Sequence, residues 1–233
     1  MHRKDSPVMK EAKSIPYFFY RQIWHLLALV LLVPMAFFAA EPYLGEGTFL
    51  GILDRTWFIL SLSAAILHQV LVWLVFRLQL GWGTLTKVFG KYDLFLWGLI
   101  FFPLLISRPL FLVALGRANG GTLVFAGNIT FILGVIILIP ALYTLYSVFR
   151  YFGLYRALGG DHFRKIYRKM PLVKEGAFRY SGNAMYVYAF LLLWSIALFH
   201  QSQGALIAAV FQHLYIWVHY YTVEKPDMDL IFK

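Results

Sequence analysis

The chain has 233 residues, of which 61% are hydrophobic and only 14% are charged, and its mean hydropathy is +0.68. This composition excludes an ordinary soluble domain and indicates an integral membrane protein whose length is mostly taken up by apolar spans of about 20 residues. Because cysteine is absent, disulfides, thiolate nucleophiles and cysteine metal sites are excluded. We predict no metal site.

The formal net charge of +10 is most simply a signal of membrane topology. Basic residues that flank apolar spans orient those spans and contact anionic lipid heads. No exposed domain is predicted that would carry a nucleic-acid interface, so we expect no nucleic-acid partner.

Six apolar stretches follow one another along the chain and predict an all-α, polytopic helical bundle with about six spans. The first four stretches are long enough to cross a bilayer, whereas the last two are near the lower limit and form a short C-terminal helical hairpin. The stretches cover about residues 23–40, 57–76, 94–115, 123–148, 184–199 and 205–221.

The stretches and the segments between them predict a single transmembrane domain over residues 1–233. Basic residues concentrate in the leader, after the second and fourth spans, and in the tail, so both termini and the long basic loop are expected in the cytoplasm. The predicted parts are a cytoplasmic leader (1–21), four N-terminal spans (22–148), a basic cytoplasmic loop (149–183), the hairpin (184–221) and a cytoplasmic tail (222–233).

Polar residues gather at both ends of the C-terminal hairpin. Asn183 and Tyr186 lie where it begins, and Tyr220 and Glu224 lie where it ends. Since a bilayer tolerates few unsatisfied polar groups, this grouping indicates a site. From spacing alone, however, Glu224 is equally consistent with a carboxylate that is simply solvated at the surface.

Helical spacing divides the polar residues of the last stretch between two sides. At about 100° per residue, one narrow face carries the first group and the opposite flank carries the second, so not all of them can face the same partner. The first group is His213, Trp217, Tyr220 and Glu224, and the second is Gln212 and His219.

Two further sets of polar residues have a structural and a functional interpretation. The cations of the basic loop are expected to lie on anionic lipid, or else to hold a phosphate or carboxylate. In the second span, His68 and Gln69 are expected to form a hydrogen-bonded packing contact, with contact to a substrate as the alternative.

The C-terminal motifs resemble a known family. Asn183-Ala184-Met185-Tyr186, the apolar hairpin and Glu224-Lys225-Pro226 resemble the C-terminal half of the membrane phospholipid methyltransferases, a family that includes the phosphatidylethanolamine N-methyltransferases. That family belongs to a wider class with the isoprenylcysteine carboxyl methyltransferases. The segments Leu158–Phe163 and Leu172–Tyr180 are also similar to it. Ala184 replaces an expected proline, and Lys225 replaces an expected second acid.

The resemblance implies S-adenosylmethionine as the methyl donor and a lipid or lipid-like acceptor, with the active site facing the cytoplasm. A phospholipid amine is the first expectation; a prenylated cysteine carboxylate, a small thiol, or a noncatalytic binding or transport role are the alternatives. We expect His219 or His213 to act as the catalytic base. The expected cofactor-binding residues are Asn183, Tyr186, Glu224, Tyr220, Arg179 and Gly160.

Overall fold

The computed structural model describes residues 12–125 and 127–232 and is about 80% helical. The all-α, membrane-type fold predicted from the sequence is confirmed. The predictions that concern residues 1–11 of the leader, and Lys233 in the tail, lie outside the described residues.

The N-terminal half is a series of long helices with one small β-hairpin. The strands pair antiparallel, Thr48 opposite Leu53 and Phe49 opposite Ile52. In chain order the elements are α1 (Ile15–Phe18), α2 (Gln22–Ala40), β1 (Thr48–Phe49), β2 (Ile52–Leu53), α3 (Asp54–Trp82), α4 (Thr84–Phe89), α5 (Asp93–Ala118) and α6 (Gly127–Ser147), with 3₁₀ turns at Glu41–Tyr43 and Gly90–Tyr92.

The C-terminal part contains shorter elements and three π turns. The elements are a π turn (Val148–Phe152), α7 (Leu154–Ala157), α8 (Gly160–Phe163), 3₁₀ turns at Tyr167–Lys169 and Gly176–Arg179, a second π turn (Met185–Ala189), α9 (Leu191–Phe199), α10 (Gln203–His219), a third π turn (Tyr220–Glu224) and α11 (Lys225–Ile231).

Four helical segments among the described residues are long and apolar enough to cross a membrane: Ile15–Tyr43, Asp54–Trp82, Thr84–Ala118 and Asn128–Phe152. The C-terminal hairpin consists of the shorter apolar segment Met185–Phe199 and the 17-residue α10. The predicted count of six spans is therefore not confirmed, because Met185–Phe199 is too short and α10 is not among the four candidate spans.

Small residues let α10 enter the centre of the bundle. The helix begins at Ser202, whose hydroxyl accepts a hydrogen bond of 3.0 Å from the Ala205 amide. Ala205, Ala208 and Ala209 are fully buried and pack in the same core as Leu112 of α5. Such small side chains allow helix backbones to approach closely, so α10 packs against α2, α3 and α5.

Candidate functional site

The three π turns all border the region where the basic loop meets the C-terminal hairpin. A π turn closes an i→i+5 hydrogen bond and thereby shifts the phase of the residues that follow it. The third turn follows His219 directly, and the Nε2 atom of His219 lies 3.7 Å from Oε1 of Glu224. The prediction that these two residues lie on opposite sides is therefore wrong, because regular α-helical spacing was assumed across a π turn.

The two ends of the hairpin are joined by a direct hydrogen bond. The hydroxyl of Tyr186 donates to Oε2 of Glu224. The ring of Tyr186 also packs against Tyr220, with 5.6 Å between ring centroids, and against Trp217 at 6.0 Å. The sequence placed these residues together by position along the chain, and the fold brings them into contact.

A pocket of about 230 Å³, here called the polar pocket, opens beside this contact. Four of the six residues expected to bind the cofactor line it: Asn183, Tyr186, Tyr220 and Glu224. The basic loop and α11 form the rest of its wall, with Arg156, Gly159, Asp161, His162, Lys225 and Asp229 among the lining residues.

The other two expected cofactor-binding residues do not line the polar pocket. Arg179 is exposed at the end of a 3₁₀ turn. Gly160 is buried in packing, since an added Cβ would lie 2.7 Å from the carbonyl oxygen of Tyr155. Its neighbour Gly159 lines the pocket instead, with a φ of +83°, and a Cβ added there would lie 2.3 Å from the Phe76 ring. A side chain at position 159 would be strained as well as obstructed.

Asp161 contributes a second carboxylate to the polar pocket. Its Oδ2 atom lies 3.5 Å from Nε of Arg156, while its buried Oδ1 atom has no hydrogen-bond partner among the described residues. An unpaired buried acceptor at a pocket wall is suited to a ligand that donates a hydrogen bond. Apart from its place after the two glycines, Asp161 carries no specific sequence signal for a site.

A second cavity of about 470 Å³, here called the apolar cavity, lies between α3, α5, α6 and the C-terminal hairpin. Aliphatic and aromatic side chains form most of its wall. It shares five lining residues with the polar pocket: Phe76, Ala157, Met185, Tyr186 and Glu224. The Tyr186–Glu224 contact thus lies where a polar and an apolar compartment adjoin.

The fully buried Asp227 holds this region together. Its Oδ1 atom is 2.9 Å from Nε of Arg77 and accepts a 2.8 Å hydrogen bond from the hydroxyl of Tyr17, while Oδ2 is 3.1 Å from Nε2 of His162. One carboxylate therefore connects the N-terminal segment, α3, the basic loop and α11. Sequence reasoning missed this role, although Asp227 lies three residues after Glu224, at helical spacing from it.

Lys225, which replaces the expected second acid, lies at the edge of the polar pocket. Its Nζ atom forms an exposed ion pair of 3.0 Å with Asp229, one turn farther along α11. The acidic side chain that connects the elements around the site is therefore at position 227.

The two candidate catalytic histidines have different surroundings. The ring of His213 accepts a hydrogen bond of 3.1 Å from Nε1 of Trp194 and lies beside Phe190. His219 is fully buried next to Glu224, and neither of its ring nitrogens has a hydrogen-bond partner among the described residues. His213 thus contacts the pair at the Tyr186 backbone, whereas His219 lies beside the Glu224 carboxylate.

Burial raises the pKa of Glu224 above its ordinary value of 4.5, and the hydrogen bond from Tyr186 acts in the opposite direction. About 24% of the side chain is still exposed, through the polar pocket. A carboxylate with a raised pKa at the junction of two cavities is suited both to hydrogen bonding and to holding a proton.

Residues 129–233 match the family model described as phospholipid methyltransferase. No curated protein and no solved structure matches the chain. The matched region contains every residue expected to bind the cofactor or to act as the base, together with Asp161 and Asp227. This match over residues 129–233 supports the resemblance to the membrane phospholipid methyltransferases that the C-terminal motifs predicted.

Proposed function

We propose that this membrane protein transfers a methyl group from S-adenosylmethionine to the amine of a phospholipid. The observation that carries the proposal is the junction at Tyr186 and Glu224, where the polar pocket adjoins the apolar cavity. A water-soluble methyl donor and a lipid acceptor need separate compartments that meet at the reacting atoms. The family match supports the same activity.

The residues of the polar pocket fit the cofactor. The carboxylates of Glu224 and Asp161 suit its ammonium and hydroxyl groups, and the side chain of Asn183 offers a further donor and acceptor. The rings of Tyr186 and Tyr220 suit the positively charged sulfonium. Arg156, whose Nε lies 3.5 Å from Oδ2 of Asp161, suits the cofactor carboxylate.

When bound, S-adenosylmethionine supplies an electrophilic methyl group on its sulfonium. Tyr186 and Glu224 would hold the acceptor nitrogen at the junction of the two cavities, within reach of the methyl group that the cofactor would supply. The acceptor must first lose a proton, which passes to Glu224 with His219 adjacent at 3.7 Å. Glu224 thus takes the proton directly, and His219, which lines neither cavity, acts through Glu224; we favour His219 over His213 for this role.

The apolar cavity provides the compartment for the acceptor, because its wall is largely aliphatic and aromatic. The basic loop and both termini are proposed to lie in the cytoplasm, according to the distribution of cations. The cofactor then enters from the cytoplasm, and the lipid enters from the bilayer.

The test is methyl transfer by the purified protein in lipid nanodiscs with radiolabelled S-adenosylmethionine. Phosphatidylethanolamine, a prenylated cysteine and a small thiol are offered separately, and label is expected in the phosphatidylethanolamine. Exclusive labelling of either other acceptor would replace the phospholipid proposal. Cofactor binding without label in any acceptor would indicate a noncatalytic binding protein.

A further inference from the structure

The wall of the apolar cavity contains three buried polar side chains that the proposed methyl transfer does not use. Arg108 on α5 is 2% exposed, and His68 and Gln69 on α3 are 3% and 2% exposed. Among the described residues, no hydrogen-bond partner is present for Nη2 of Arg108, for Nε2 of Gln69 or for either ring nitrogen of His68. The packing contact expected for His68 and Gln69 therefore leaves their donors unpaired.

The guanidinium of Arg108 is held in place by neutral groups only. Its Nε atom donates a 2.9 Å hydrogen bond to Oε1 of Gln212, whose amide in turn donates to Ser61 at 2.9 Å. Its Cζ atom lies 4.9 Å from the centroid of the Phe190 ring. Within residues 12–125 and 127–232, no carboxylate forms an ion pair with it. A buried cation without an anion is costly, so a ligand that supplies the negative charge is favoured.

Arg108 and the Tyr186–Glu224 contact face the same space, because all three residues line the apolar cavity. The guanidinium also contacts Phe190, which directly follows the π turn that contains Tyr186. A cavity with a cation on one part of its wall and a carboxylate on another suits an acceptor whose amine is linked to a phosphate. In a phosphoethanolamine headgroup, two carbon atoms and one oxygen separate the amine from the phosphorus.

We propose that Arg108, with Gln69 and His68, binds the phosphodiester of the acceptor while its amine lies at Tyr186 and Glu224. This inference rests on the proposed function and defines its substrate class as lipids whose amine lies beside a phosphate. The guanidinium and the amide of Gln69 donate to the phosphate oxygens, and the His68 ring provides a further donor. These three residues precede position 129, so the family match does not assign them a role.

The test compares two acceptors, phosphatidylethanolamine and a long-chain primary alkylamine without phosphate, in Arg108→Met and wild-type protein. For phosphatidylethanolamine, kcat/KM is expected to fall at least ~10-fold, since a hydrogen bond to a charged group contributes about this much. For the alkylamine and for cofactor affinity, no change is expected. Equal losses with both acceptors would overturn the proposal and leave Arg108 a structural residue.

Two further variants separate the subsite from folding. Gln69→Leu removes an unpaired donor at nearly constant volume. It is expected to lower kcat/KM for phosphatidylethanolamine by a smaller factor than Arg108→Met does. Arg55→Met removes an exposed arginine from the opposite end of α3 and is expected to leave both acceptors unaffected. An unchanged selectivity in both Arg108→Met and Gln69→Leu would contradict the inference.

Equilibrium binding of short-chain phosphatidylethanolamine distinguishes failure of this inference from failure of the proposed function. If the wild type methylates neither acceptor but binds this lipid at least ~10-fold more tightly than Arg108→Met does, the subsite stands without the methyl transfer. If the two proteins bind it equally, the subsite is overturned. Inorganic phosphate is expected not to compete with this lipid for binding. If inorganic phosphate displaced the lipid at an equal concentration, the site would be assigned to free phosphate.

Discussion

The two ends of the helix bundle treat buried polar groups in opposite ways. At the end where α3 begins, Asn119 is 2% exposed and donates a hydrogen bond of 2.9 Å to Oδ2 of Asp54. Its Oδ1 atom accepts from the Ser202 and Thr122 hydroxyls, both at 2.9 Å, and from the Gly204 amide at 3.0 Å. This group, here called the far-end cluster, joins α3, α5 and the hairpin turn through bonds within the protein.

At the other end, several buried polar atoms have no partner among the described residues. Oδ1 of Asp161 is unpaired at the polar pocket, and Nη2 of Arg108 is unpaired at the apolar cavity. Unsatisfied groups of this kind lower stability, so a membrane protein retains them where a ligand completes them. The difference separates polar residues that stabilise the fold from polar residues that we propose bind a ligand.

The largest effect on stability is expected at Asp227, a fully buried carboxylate that is paired at the site end. Asp227→Asn removes the charge that faces Arg77 and His162 and is expected to lower the free energy of unfolding by about 4 kcal/mol, because an unpaired buried cation remains. Equilibrium unfolding in detergent measures this change in the free energy of unfolding. The matched control is Asp229→Asn, which breaks an exposed pair and is expected to change stability by less than about 0.5 kcal/mol. Equal stability of the two variants would contradict this assignment.

A slightly smaller loss of stability, without loss of chemistry, is expected at the far-end cluster. Asn119→Ala leaves Oδ2 of Asp54 and the Ser202 hydroxyl without their bonds and is expected to cost about 3 kcal/mol. At a temperature where the variant is folded, KM values for cofactor and acceptor should equal those of the wild type. A selective change in one KM would mean that the far-end cluster influences the site. It would contradict the division between a structural end and a ligand-binding end.

At the junction, the effect is expected in activity instead of stability. Glu224→Gln keeps the shape of the side chain but removes the charge that accepts the Tyr186 hydrogen bond, and kcat/KM should fall by about 100-fold, or ~2.7 kcal/mol. Unfolding should shift little, because burial disfavours the charged form. Glu41→Gln is the control, since Glu41 lies in an exposed pair with Arg55. A loss of less than about threefold in Glu224→Gln would contradict its role.

The sequence predicted the helical bundle and four residues of the polar pocket because apolar runs and local motifs are encoded locally. It could not place His219 beside Glu224, since π turns are not visible in residue spacing. Asp227 was missed for a different reason. Its partners Arg77 and Tyr17 lie more than a hundred positions away, and only the packed helices bring them together.

The raised pKa of Glu224 predicts an acid limit for cofactor binding. As the pH falls through that pKa, the carboxylate gains a proton and loses its attraction for the cofactor ammonium, so affinity should decline at a pH above the ordinary value of 4.5. Stability should change in the opposite direction, because the destabilising buried charge is removed at low pH. Calorimetric titration between about pH 5 and about pH 8 measures the effect. In Glu224→Gln the decline should disappear; its persistence would assign the limit to another group.

The smallest effect is expected from restoring the acid that the family motif places after Glu224. Lys225→Glu exchanges an exposed ion pair with Asp229 for a like-charge contact at i,i+4, which costs only a few tenths of a kcal/mol. Because Asp227 already connects the elements around the site, cofactor affinity should change by less than about threefold, equivalent to under ~0.7 kcal/mol. Titration with the cofactor measures this change in affinity, and Lys225→Gln is the charge-neutral control. A tenfold gain in Lys225→Glu alone would show that position 225 contacts the cofactor directly, and the polar pocket would then extend along α11 towards Asp229.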